Sequence, residues 1–249
     1  MSGHNRWSKI KRHKAVAGLA KGRLFSKIIK EITVSARMGG GDPEGNPRLR
    51  VALAAAREAN MPADTITRAI KKGTGELEGI SYEEVLYEGY GPGGVAMLVE
   101  CLTDNTNRTA GEVRSAFSKF GGSLAAQNAV KFVFQHKGNI WVKAGPSEDD
   151  VMAAAIDAGA DDVINHAADG FEVRTEPAQM HHVAEALEKK GLKLGEQKWI
   201  WLPTTTVHVE GEKAKLLLKL MEVLEENDDI QNVSANFEMD EKLMEQLST

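Results

Sequence analysis

The stretch NIWVKAGPSEDDVMAAAIDAGADDVINHAADGFEVRTEPAQMHHVAEALEKKGLKLGEQKWIWL, residues 139–202, decides the fold. An apolar strand leads into a helix over Ser147–Ala158. Two strands flank Gly170, a second helix runs over Ala178–Lys190, and a strand closes at Lys198–Leu202. The order β-α-β-β-α-β is that of a ferredoxin-like unit. Downstream, Thr205–Val209, a helix over Glu212–Glu226 and Val233–Phe237 add a further β-α-β. Upstream, Val95–Leu102 is a strand, Thr109–Phe120 a helix with Ala110, Val113, Ala116 and Phe117 on one face, and Val130–Phe134 a strand. The outer segments complete one another, so the ferredoxin-like unit reads as an insertion into a split α/β domain.

The N-terminal third is helical and of opposite charge. Arg6, Lys9, Lys11, Arg12, Lys14, Lys21, Arg23, Lys27 and Lys30 all precede the first carboxylate, Glu31. Residues 1–79 carry a net +9, against −5 for the whole chain of 249 residues, so the remainder holds −14. This asymmetry points to a nucleic-acid partner or a charged surface. Over Ala17–Met38, Phe25, Ile28, Ile29, Ile32 and Ala36 fall on one helical face. Arg23, Lys27, Lys30 and Arg37 cluster about 150° away, a row of cations suited to phosphates. Gly39-Gly40-Gly41 ends this helix, and Asn46-Pro47 supplies a cap and a first-turn proline. Leu49, Ala52, Leu53 and Ala56 mark the apolar face of the second helix, with Arg48, Arg50 and Arg57 off it. Met61-Pro62 opens a third, which Lys71-Lys72-Gly73 is expected to close. In the arm, Trp7 either stacks on a base or anchors the arm to its own domain. The expected nucleic-acid contacts are Arg6, Trp7, Lys9, Lys11, Arg12, Lys14, Arg23, Lys27, Lys30, Arg37, Arg48 and Arg50.

Several motifs belong together. Gly3-His4, Trp7, Lys14-Ala15, Gly39-Gly40-Gly41-Asp42-Pro43-Glu44, Asn46-Pro47-Arg48-Leu49-Arg50, Asn60-Met61-Pro62 and Arg68-Ala69-Ile70-Lys71 are joined by Tyr87-Glu88-Gly89-Tyr90-Gly91-Pro92-Gly93-Gly94, Leu102-Thr103-Asp104-Asn105 and Asn107-Arg108-Thr109. With these the chain resembles the YebC/PmpR family from Gly3 to about Glu238, most densely before Gly94. One departure is Ser123-Leu124-Ala125-Ala126-Gln127-Asn128-Ala129, where the family usually places further glycines. The resemblance implies a helical N-terminal domain and two α/β domains. It also implies either a DNA-binding transcriptional regulator or a ribosome- or RNA-associated translation factor or activator.

Other patterns carry no chemistry. Gly89-x-Gly91-x-x-Gly94 has dinucleotide-type spacing, but a strand follows it and Pro92 lies inside, so it reads as a turn. The polar loop Thr103–Thr109 reads as caps and Asx-turns, with Arg108 open to a second contact with RNA or protein. His4 and His13 lie too far apart for zinc, and His181-His182 are read as surface histidines. No nucleophile with a base is ordered along the chain, so a non-enzyme with no metal, cofactor or small-molecule substrate is expected.

No apolar stretch reaches the roughly 20 residues of a membrane span. The lone Cys101 fits a reducing cytoplasm, the expected location. The motif at Gly3-His4 leaves no room for a removable leader. The acids at Glu222, Glu225, Glu226, Asp228 and Asp229 read as solvated helix faces. The expected domains are 1–79, a split 80–137 with 203–240, and an inserted 138–202.

Overall fold

The computed structural model describes residues 18–240. Three helices come first: α1 (Gly18–Gly39), α2 (Pro47–Glu58) and α3 (Ala63–Thr74). Their core is Ile28, Ile32, Leu49, Ala52, Leu53, Ala56, Met61 and Ala69, with Phe25 and Ile29 packed beside it. Asn46 Oδ1 accepts from the Leu49 amide at 3.0 Å, while its Nδ2 donates to the carbonyls of Ser35 at 2.8 Å and Gly40 at 2.9 Å. One side chain thus starts α2 and terminates α1. The expected stop at Gly73 is displaced. α3 runs on to Thr74, and Gly75, at φ +83°, supplies the left-handed residue after it. Gly73 serves the packing instead. A Cβ there would stand 2.7 Å from Ala36 Cβ and closer still to the Thr33 carbonyl. Its missing side chain lets α3 cross α1 at backbone contact.

The second unit opens with β1 (Glu83–Gly91) and β2 (Val95–Thr103), a hairpin turning at Pro92–Gly94. A strand therefore precedes the Gly89–Gly94 motif as well as following it, and the motif is a hairpin turn with Gly93 and Gly94 at positive φ. Next come α4 (Thr106–Lys119), the short β3 (Ser123–Leu124) and then β4 (Phe134–Lys143). The apolar run Val130–Phe134 is not a strand throughout: Lys131–Val133 is a single 3-10 turn. Its amides go elsewhere. Glu88, 3% exposed, accepts from the amides of Asn128 at 2.6 Å, Val130 at 2.8 Å and Lys131 at 2.9 Å. Of the residues standing where the resemblance leads one to expect glycines, Asn128 donates its amide to this buried carboxylate.

β4 leads into α5 (Glu148–Asp157), β5 (Asp162–Asn165), β6 (Gly170–Thr175), α6 (Met180–Lys189) and β7 (Leu194–Pro203). These strands form an antiparallel sheet in the order β5-β6-β4-β7, the ferredoxin-like arrangement. The chain then returns through β8 (Val207–His208), α7 (Gly211–Glu226), β9 (Ile230–Ala235) and β10 (Phe237–Glu238). β9 pairs with β2, giving the sheet β3-β1-β2-β9. The protein is α+β: a helical N-terminal region and two α/β domains, the ferredoxin-like one inserted in the other. β2 is apolar on both faces because both are covered. Val95, Met97, Val99 and Cys101 meet α4 and α7, and Ala96 and Leu98 meet Val130, Phe134 and Trp201.

Candidate nucleic-acid interface

Arg6, Trp7, Lys9, Lys11, Arg12 and Lys14 lie outside the described residues. The remaining expected contacts are not open to solvent as a row. Lys27 Nζ donates to the Glu225 carbonyl at 2.7 Å, and Arg23 lies 3.5 Å from Glu226. Lys30 Nζ reaches Asp229 Oδ1 at 2.5 Å and the carbonyls of Asp228 at 3.0 Å and Leu102 at 3.4 Å. Arg37 donates to the Ser81 hydroxyl and the Tyr82 carbonyl. Arg48 forks onto Glu31 at 2.7 and 3.1 Å and also pairs with Glu84. Arg50 reaches the Glu44 carbonyl at 3.5 Å, and its Nε is buried without a hydrogen-bond partner among the described residues. The second half of α1 is enclosed on the far side too, with Thr33, Val34 and Ser35 all buried. The periodicity located the cationic face correctly, but the end of α7 and the turn before β9 cover it.

Asp229 is the node of this contact. Expected on a solvated face, it is buried at 5% exposure. Its Oδ2 accepts from Arg108 at 2.6 Å, Thr109 at 2.8 Å and Thr103 at 3.1 Å, while Oδ1 faces Lys30. Burial alone would raise this carboxyl, but the bonds from Arg108, Lys30 and Thr109 outweigh it and bring it down to about 2. Arg108 also pairs with Asp104 at 2.7 Å, so the loop residue read as a second contact is committed inside the molecule. Asn105 caps α4 as its position implies, accepting from the Arg108 amide at 3.0 Å. Cys101, beneath this network, is a buried thiol that desolvation pushes up to about 12, far from the thiolate a nucleophile needs.

Three cations that stay open lie together on α3. Arg68, Lys71 and Lys72, at i, i+3 and i+4, are exposed and form no salt bridge with another described residue. Exposed Arg57 on α2 is in the same condition. Sequence reasoning read Lys71 and Lys72 as the close of a helix and Arg68 as part of a motif, none of them as a contact. The available signal was their spacing on one face. No group of three His, Cys, Asp or Glu is placed to hold a metal among the described residues. His181 does have a carboxylate neighbour, with Glu185 one turn on at 3.1 Å, so the pair is a surface contact on α6. Among the described residues no helix is long and apolar enough to cross a membrane.

Comparisons with known proteins cover the whole arrangement. Residues 5–76 match the model of the TACO1/YebC protein N-terminal domain, and residues 82–237 that of the TACO1/YebC second and third domain. A Myxococcus xanthus protein is 63% identical over 247 residues, covering 99% of both chains. One from Persephonella marina is 54% identical over 250 residues, covering 100% of both. Each is described as a "probable transcriptional regulatory protein". The crystal structure of a conserved hypothetical protein from Aquifex aeolicus superposes with a TM-score of 0.83 at 49% identity, covering 88% of this chain and 91% of that one.

Proposed function

The chain belongs to the TACO1/YebC family, and from that premise we propose that it is a non-enzymatic, nucleic-acid-binding regulatory protein that acts on transcription by binding duplex DNA. The observation that carries this reading is the row Arg68, Lys71 and Lys72 on α3, exposed and without ion pairs to other described residues, in a region of net charge +9. Elsewhere in that region the cations of α1 and α2 are largely engaged inside the protein. Arg23, Lys27, Lys30, Arg37 and Arg48 orient the helical domain against the split domain rather than meeting phosphates. The arm residues Arg6, Trp7, Lys9, Lys11, Arg12 and Lys14 are proposed as further contacts. The names carried by the relatives support a regulatory role, and the cytoplasm is the proposed setting.

Each neutralised phosphate releases counterions, so the salt dependence of binding counts the contacts. Arg68→Glu with Lys72→Glu is expected to weaken binding to a duplex oligonucleotide and to reduce the slope of log K against log salt by about 2. Unchanged affinity and slope in a variant with a native thermal transition would sink the proposal. The same variant run on a sucrose gradient of DNase-treated lysate addresses RNA. Co-sedimentation with ribosomes that is lost on charge reversal would assign the surface to translation, because backbone contacts are common to both nucleic acids.

A further inference from the structure

Far along the chain from α3, a second surface carries a different chemistry. The turn Lys131–Val133 holds Phe132 76% exposed, the most open large hydrophobic side chain among the described residues. Beside it, Lys131 Nζ lies 5.3 Å from the centroid of the Trp201 ring. His136, paired with Trp201 across β4 and β7, stacks on the same ring with centroids 4.6 Å apart. Tyr90, also exposed, donates its hydroxyl to the Ala129 carbonyl at 3.3 Å.

The exposure is built in. The amides entering the turn are bound by Glu88, and the Val133 carbonyl accepts from the Thr204 amide at 2.8 Å and hydroxyl at 2.9 Å. Phe132 is therefore presented on a fixed backbone, which lowers the ordering cost of any ligand that uses it. The charge is selective as well. Residues 80–249 contain 29 of the 36 acids, yet residues 121–137 and 197–209 contain none; carboxylates that reach these segments from elsewhere include Glu100 at Trp201 and Asp161 and Glu176 at Lys137. Glu88, below the turn, is buried and spent on backbone amides. An exposed ring with a lysine as its chain neighbour matches the stacking platforms that take unpaired bases.

We propose that Phe132, next to Lys131, is a stacking site for an unpaired nucleobase, with Lys131 meeting the adjoining phosphate. The site rests on the nucleic-acid reading above and adds a single-stranded element to it.

The test uses the full-length chain and two fluorescent single strands of about 12 nucleotides, a length one binding module covers. One is oligothymidylate and the other is an abasic strand with the same phosphates. Wild type is expected to prefer the base-bearing strand by roughly 5- to 150-fold, the range for one stacked base. Phe132→Ala should abolish the preference with little effect on folding, since the ring is exposed. Phe132→Trp should keep it and add fluorescence quenching on binding. Lys131→Ala should weaken both strands and lower the salt slope by about 0.7. Equal binding of the two strands by wild type, no binding of either, or an intact preference in Phe132→Ala overturns the stacking site. The duplex titrations of the α3 variant decide separately whether the wider nucleic-acid reading stands.

Discussion

Lys30 Nζ stands 2.5 Å from Asp229 Oδ1 across 199 residues of sequence, joining the basic helix to the turn that precedes β9. Both side chains are largely buried, at 12% and 7% exposure. Breaking an isolated buried pair costs about 3–5 kcal/mol; here Asp229 keeps Arg108, Thr109 and Thr103, and Lys30 keeps two carbonyls, so the loss falls below that range. Lys30→Ala and Asp229→Ala should each lower the midpoint of urea unfolding, and with it the unfolding free energy. The double variant should fall well short of the sum. Additive losses would show that the pair is not coupled. A consequence follows for binding studies: charge reversal at Lys30 disturbs how the domains meet, so α3 offers the cleaner probe of nucleic-acid contact.

The same carboxylate sets an acid limit on stability. Its pKa lies near 2 in the folded protein, against an ordinary 3.8. The folded state therefore binds this proton less readily than the unfolded chain does. Its contribution is complete above the ordinary value and is lost as pH falls through about 2. Because the Arg108 side chain opposite is 43% exposed, solvent screening trims that contribution to roughly 1–2 kcal/mol. Unfolding free energy measured between pH 5 and pH 2 (roughly the window over which a lowered carboxyl titrates) should fall less steeply in Asp229→Asn. Parallel curves for the two proteins would place the acid sensitivity elsewhere.

Local signals were legible in the sequence, and distant partners were not. The Asn46-Pro47 cap and the apolar face from Phe25 to Ala36 depend on residues within a few positions, and both stand as read. Whether Lys30 meets a phosphate or a carboxylate depends on Asp229, which no helical periodicity reaches. β1 was missed because its sequence, EEVLYEGYG, begins with two acids and ends among glycines. Gly89 is required there, since a Cβ would collide with the Phe117 ring at 2.6 Å. The Val130–Phe134 run misled in the opposite direction, because its β-branched composition fits a strand while Glu88 takes its amides.

Two glycines in helices should respond oppositely to the same change. Gly73→Ala places a methyl against Ala36 Cβ at 2.7 Å and against the Thr33 carbonyl. α3 must then move off α1, and overpacking of this kind costs about 1–3 kcal/mol. Gly111→Ala on α4 meets nothing within 4 Å and has an ordinary helical backbone, so it should stabilise by about 0.5–1 kcal/mol. Thermal melts of both variants check the pair. Equal shifts would mean that the α1–α3 crossing can relax.

Glu88→Gln tests what holds the turn that presents Phe132. Burial would raise this carboxyl, but the amides of Val130, Asn128 and Lys131 hold it below the usual carboxylate range, so it is ionised at neutral pH. A carboxylate offers acceptors on both oxygens, whereas glutamine turns an NH2 group toward one set of amide donors. Val130 and Lys131 share Oε2, and Asn128 uses Oε1. The amide replacement therefore leaves at least one buried N–H facing another donor, at a cost of about 1–3 kcal/mol. Hydrogen exchange at Asn128, Val130 and Lys131 should accelerate by roughly 5- to 150-fold if the loss is confined to local opening. Exchange in the α1–α3 core, which shares none of these bonds, should not change. Unaltered protection at the three amides would show that the Thr204–Val133 bonds alone fix the turn.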